Sequence, residues 1–167
     1  MCFLSFRRLL TFIVVVMVTA TTVAASDVKS GKSDCDTLLG AVMPFAEQML
    51  KAHGEFFPFG AAMQSDGKVA AVGAWDGDEH PNSTDVITLL KDGFVAGARK
   101  GEYKATALVY DVWYKSDDGS LTDAIAVALD HRDNYSVVVF YPYTLKDGLL
   151  SVGKIQVHDG AYEVFGR

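Results

Sequence analysis

Four runs of alternating apolar residues fill the last third of the chain: Lys104–Tyr114, Leu121–Asp130, Tyr135–Tyr143 and Leu149–Val157. Between them stand Ser116-Asp117-Asp118-Gly119, His131-Arg132-Asp133-Asn134 and Lys146-Asp147-Gly148. Each is a tight turn by composition, because Asp, Asn and Ser hydrogen-bond their own backbone and Gly reaches positive φ. Parallel neighbours need a crossover of a dozen or more residues, so strands joined this closely form an antiparallel meander.

Upstream the pattern changes period. Asp34 or Asp36 is expected to cap a helix in which Leu38, Leu39, Val42, Phe45, Met49 and Leu50 recur at three-to-four spacing, with Gly54 as its stop. Pro44 interrupts that stripe and either kinks the helix or marks its first turn. Glu55–Met63 and Lys68–Trp75 then read as extended runs joined through Ser65-Asp66-Gly67, and Asp-Gly between apolar runs is a hairpin signal. Pro58 cannot donate to a ladder, which predicts an edge strand or a bulge there. A polar loop, 76–82, leads into a second helix over 83–100, capped by Asn82 or Ser83 and closed by Gly101. Val86, Ile87, Leu90, Phe94 and Ala98 form its apolar stripe, and Gly93 and Gly97 leave a thin face that can lie close to a sheet.

The order α-β-β-α-β-β-β-β predicts an α+β domain: an antiparallel sheet of five or six strands with two helices on one face. It is similar to the layout of the profilin-like and roadblock-like folds, with a strand in place of their terminal helix. In Lys104–Tyr114, Ala105, Ala107 and Val109 point one way with Asp111, while Leu108, Tyr110, Val112 and Tyr114 point the other. The small face is expected to receive the helices. On the aromatic side Tyr110, Tyr114, Tyr135, Tyr141 and Tyr143 form a candidate binding patch, since tyrosine gives large contact area at low entropy cost. The plainer reading is that these rings finish the core edge with their hydroxyls in water.

The N-terminus carries an address. Arg7 and Arg8 precede an apolar run from Leu9 to Val18, and small residues continue to Ala24, Ala25 and Ser26. This is the layout of a secretory signal peptide over residues 1–25, and its core is shorter than the roughly 20 residues that span a bilayer. An exported chain, periplasmic or secreted, follows, without stable membrane insertion after cleavage. Residues 26–33 are expected to be a flexible leader and 34–167 a single domain of ordinary size. The formal net charge of −6 becomes −8 once Arg7 and Arg8 leave, which argues against nucleic acid and anionic membranes as partners. Cys2 leaves with the signal, so Cys35 has no partner within the chain and no paired-Cys zinc site exists. Asn82-Ser83-Thr84 and Asn134-Tyr135-Ser136 are glycosylation sequons if the organism is a eukaryote.

The most polar cluster is Asp76, Asp78, Glu79 and His80, between the second extended run and the second helix. Three carboxylates and an imidazole are able to gather a divalent cation, but the liganding period of a calcium loop is absent, and a solvated turn is the plainer reading. No nucleophile elbow, phosphate loop or dinucleotide fingerprint is present. His131 beside Asp130 and His158 beside Asp159 are uninformative, because neighbours on a strand face opposite ways. No catalytic residue is assigned and no cofactor is expected.

The segment Glu55-Phe56-Phe57-Pro58-Phe59-Gly60 resembles that of a group of small bacterial proteins without assigned activity, in which Glu-Phe-Tyr/Phe-Pro-Phe-Gly follows the first helix. The resemblance continues through Asp78-Glu79-His80-Pro81, Ala107-Leu108-Val109-Tyr110-Asp111 and Asp123-Ala124-Ile125-Ala126-Val127, and it brings no catalytic residues with it. Small domains of this type resemble immunity proteins of toxin systems, which implies a toxin as the partner. The leading expectation is therefore an exported, non-enzymatic protein-binding domain that meets its partner through Asp76, Asp78, Glu79, His80, Tyr110, Tyr114, Tyr141 and Tyr143. The alternatives are a metal-dependent hydrolase or small-ligand-binding protein built on the Asp76–His80 loop, and an envelope-associated module that self-assembles through a strand edge.

Overall fold

A computed structural model of the protein describes residues 23–166, apart from 76, 78–80 and 117–118. The order is α1 (Val23–His53), β1 (Phe59–Gln64), β2 (Val69–Val72), α2 (Ser83–Arg99), β3 (Tyr103–Lys115), β4 (Leu121–His131), β5 (Tyr135–Lys146), β6 (Leu149–Val152) and β7 (Gln156–Asp159). The strands form one antiparallel sheet in the order β2-β1-β3-β4-β5-β6, with β7 also paired to β5. The α+β class and the meander follow the sequence expectation; among the described residues the strand count is seven.

The seventh strand has a local cause. The expected run Leu149–Val157 is one edge strand broken in two: β6 pairs with Tyr143–Lys146 and β7 with Val137–Phe140. The break lies opposite Pro142, which has no N–H to give a ladder, and Gly153 N–H instead donates to the Pro142 carbonyl at 2.7 Å. Pro58 behaves differently from expectation. It precedes β1 rather than sitting within it, and β1 is interior, flanked by β2 and β3.

The two helices lie on opposite faces of the sheet, which corrects the expectation of one shared face. Leu38, Val42, Ala46 and Leu50 of α1 bury against Ala61, Ala107, Val109, Ile125 and Val127. Val86, Leu90 and Phe94 of α2 bury against Ala62 and Leu108. In β3 and β4 every residue from Ala105 to Val109 and from Ala124 to Val127 is buried, so the central strands have two apolar faces and each must be covered. β2 and β3 both run antiparallel to β1, hence parallel to one another, and α2 is the crossover between them. Gly60 is what lets α2 sit close, because a Cβ there would collide with the Phe94 ring and the Ala107 carbonyl oxygen. Gly97 receives the Tyr103 ring in the same manner, whereas Gly93 faces open space.

Local signals hold where they are strong. Asp66-Gly67 makes the β1–β2 turn, with Gly67 at φ 89° and Gly67 N–H donating to the Gln64 carbonyl at 2.9 Å. Asn82 caps α2 by accepting from Thr84 N–H at 2.8 Å, and Gly101 at φ 73° ends it.

α1 starts earlier than its periodicity predicts, at Val23, so 26–33 is helical rather than a leader. Its polar composition carries no stripe; contact with the β4–β5 turn holds it instead. Gly31 is buried there, where a Cβ would stand 3.1 Å from both the His131 ring and Tyr135 Cβ. Asp34 therefore sits inside the helix and is no cap. Its Oδ2 lies 3.1 Å from Nε2 of the buried His131 and 2.8 Å from Lys104 Nζ. Asp133 N–H donates to His131 Nδ1 at 2.9 Å, which leaves the proton on Nε2 to be donated to Asp34. Burial opposes the charge on Asp34, but the hydrogen bonds from Lys104 and His131 outweigh it and hold the carboxyl below its ordinary pKa.

A carboxyl whose folded pKa is depressed stabilises the fold above its unfolded pKa, and that contribution disappears as pH falls through the folded value. Asp34→Ala should therefore cost about 2–3 kcal/mol in urea unfolding at neutral pH, and the gap to the wild type should close below about pH 4. A gap that persists unchanged in acid would show that the clamp is not ionic.

Candidate functional site

Two places in the fold gather chemistry-bearing side chains, and the strand register creates both. On the α2 face, Thr106 pairs with Asp130 and Asp130 with Ser136, so a hydroxyl, a carboxyl and a hydroxyl stand side by side across three strands. All three are buried. The C-terminal segment after β7 runs over them: Gly160 N–H donates to the Ser136 carbonyl at 3.0 Å, Tyr162 N–H to Ser136 Oγ at 3.2 Å, and Val164 N–H to Asp130 Oδ2 at 2.8 Å. Asp130 Oδ1 is sealed from solvent and has no partner at hydrogen-bond distance among the described residues. Burial raises the Asp130 pKa, the Glu163 charge pushes the same way, and the bonds from Val164, Ser136 and Phe165 offset this only in part.

Beside this row lies a cavity of about 160 Å³ between the sheet, α2 and the segment 160–164. Phe94, Leu108, Ala128 and Val138 make it largely apolar, and Thr106, Asp130 and Ser136 supply its polar wall. Lys91 and Glu163, paired at 2.7 Å, also line it.

The second place is at the far end of the α1 face. Trp113 pairs with Asp123, Asp123 with Tyr143 and Tyr143 with Val152, which forms one row across four strands. α1 covers Tyr143 but leaves Trp113 78% exposed, with Val152 and the neighbouring Leu121 also open. The Tyr143 hydroxyl donates to Asp111 Oδ2 at 3.0 Å. Asp111 is exposed as a residue, yet loss of water around its carboxyl raises its pKa; Tyr143 opposes this and the charge of Asp123 adds to it. Burial, with Asp111 behind it, pushes the Tyr143 phenol up as well.

The expected tyrosine patch is divided by the sheet. Tyr110 and Tyr114 lie on the α2 face, and Tyr141 and Tyr143 on the α1 face with Tyr135. Tyr114 is buried, stacked on Phe140 at 4.8 Å with its hydroxyl 3.2 Å from His158 Nε2. Tyr143 is buried too. These four cannot form one surface, because strand neighbours two apart share a face and the β3 and β5 pairs have opposite parity. Asp76, Asp78, Glu79 and His80 lie outside the described residues. Among the described residues no group of three or more His, Cys, Asp and Glu is placed to hold a metal ion, and no helix is long and apolar enough to cross a membrane.

Sequence reasoning missed Trp113 and Asp130. The signal for Trp113 was its parity with Ala107, Val109 and Asp111, which puts an indole at the open end of a face otherwise small and buried. For Asp130 it was parity with Ala126 and Ala128, which carries a carboxyl into an apolar layer. No family model, curated protein or solved structure matches the chain.

Two outcomes follow from the buried groups. Cys35 is fully buried, and burial, together with the charges of Asp130 and Asp34, pushes its thiol up to about 12. It should resist a disulfide reagent at neutral pH in the folded protein and react fully in denaturant; fast native labelling would contradict its burial. A carboxyl with a raised folded pKa stabilises the fold while protonated, and that contribution is lost as pH rises through the folded value. Asp130→Asn, which keeps an acceptor for Val164, should therefore match or exceed wild-type melting temperature at neutral pH and flatten its decline above about pH 4. A large loss of stability in this variant would show that the charge itself holds the C-terminal segment.

Proposed function

We propose that this chain is an exported, non-enzymatic protein-binding domain, an inhibitor of the immunity type that covers a basic surface of a toxin. The observation that carries this reading is the exposure of Trp113 beside Asp111 and Asp123. A partner arginine is able to stack its guanidinium on the indole while pairing with Asp123, and Trp and Arg are the residues that most often anchor interfaces. Leu121 and Val152, both exposed, extend the contact with apolar area on either side. A net charge of −6 favours approach of a basic protein and disfavours nucleic acid. Asp76, Asp78 and Glu79 are part of that acidic balance, with His80 beside them. Export rests on the signal-like residues 1–25, and the immunity assignment on the resemblance carried by Glu55–Gly60 and the segments after it.

The test is co-purification of the tagged protein from the exported fraction of its own organism, run beside Trp113→Ala and the triple variant Asp76→Lys, Asp78→Lys, Glu79→Lys. One stoichiometric basic partner is expected. Trp113→Ala should weaken its binding by about 2 kcal/mol, roughly 30-fold, while changing unfolding stability by no more than about 0.5 kcal/mol. Full retention of the partner by Trp113→Ala would remove this surface from the reading, and an acidic partner would overturn the charge argument.

A further inference from the structure

We infer that the cavity beside Asp130 is a binding site for a small organic cation, a primary ammonium on a short apolar stem. Buried polar groups are nearly always paired, and Asp130 Oδ1, buried in the row Thr106–Asp130–Ser136, has no partner at hydrogen-bond distance among the described residues, so it has room for a donor from outside. The lining sets the rest of the ligand. Phe94, Leu108, Ala128 and Val138 suit a hydrocarbon, and a cavity of about 160 Å³ matches the roughly 150 Å³ that holds a benzene-sized molecule, which limits the stem to a few carbons. Charge sets the sign of the ligand: Lys91 and Glu163 offset one another at 2.7 Å, which leaves the Asp130 carboxyl to decide it. An ammonium satisfies Oδ1 with a charge-assisted hydrogen bond and has further protons for the hydroxyls of Thr106 and Ser136.

The segment 160–164 closes one wall, which favours a free molecule over a side chain tethered to another protein's backbone. Because Oδ1 is out of contact with solvent, the ammonium reaches it only as that wall gives. Binding should therefore be felt at the amides of Tyr162 and Val164, which hold the wall to Ser136 and Asp130. The site is on the opposite face of the sheet from Trp113 and is independent of the protein-binding reading.

The experiment is a titration of the isotope-labelled protein with n-butylammonium, followed by the backbone amide resonances, with 1-butanol as the uncharged control. Saturable shifts at Ser136, Tyr162 and Val164 are expected with the ammonium only. Asp130→Asn should lose them while remaining folded. Ala128→Leu, which fills the cavity and leaves the carboxyl in place, should lose them as well. Absence of saturable shifts in the wild type overturns the inference. So does an equal response to 1-butanol, which would mark an apolar void without cation selectivity, and so does wild-type binding by Asp130→Asn.

Discussion

The pairing of β3 with β4, unbroken from Ala105 opposite His131 to Lys115 opposite Leu121, is the constraint on which the rest of the molecule depends. Side chains alternate with period two, so an unshifted ladder fixes the face of every residue along it, and a slip of one position would exchange the two faces. With the register as it stands, Ala107, Val109, Ile125 and Val127 meet α1. Leu108 meets α2. The same parity carries Thr106 and Asp130 under the C-terminal segment, and Trp113 and Asp123 to the open end of the other face. Both candidate sites are consequences of one ladder, at opposite ends and on opposite sides of it.

What the sequence makes legible is what short-range chemistry decides. The Asp66-Gly67 turn, the Asn82 cap, the Gly101 stop and the meander all rest on neighbouring residues, and each stands where it was expected. The parts that were not legible depend on contacts distant in sequence. Residues 26–33 have no amphipathic stripe, and only Gly31 against His131 and Tyr135 shows why helix continues there. The small face of β3 advertised a helix, but the burial of Thr106 and Leu108 on the other side, which demands a second layer, looks in sequence like ordinary alternation. Asp130 precedes a turn and so looks like a solvated strand end, until the chain returns about thirty residues later to cover it. The tyrosines were assigned to one surface by residue type, and parity divides them.

That return has a single origin in β5. Pro142 cannot donate an N–H, and the edge strand leaves the ladder after Gly153 and resumes along the same edge as β7 opposite Phe140, one residue out of the β6 register. Resumption there brings Asp159 opposite Val137 and sets Gly160 directly on Ser136, where the space beside Ser136 Oγ admits no Cβ. From that point the chain has only one side left to cover, and Val164 arrives at Asp130. An uninterrupted β6 would carry the edge strand along β5 in its first register and set Asp159 rather than Gly160 opposite Ser136, so the segment 160–164 would reach the sheet one residue out of step. The wall that closes the Asp130 cavity is thus positioned by a missing hydrogen-bond donor in β5, and a residue that weakens the sheet edge is also the one that completes the layer above it.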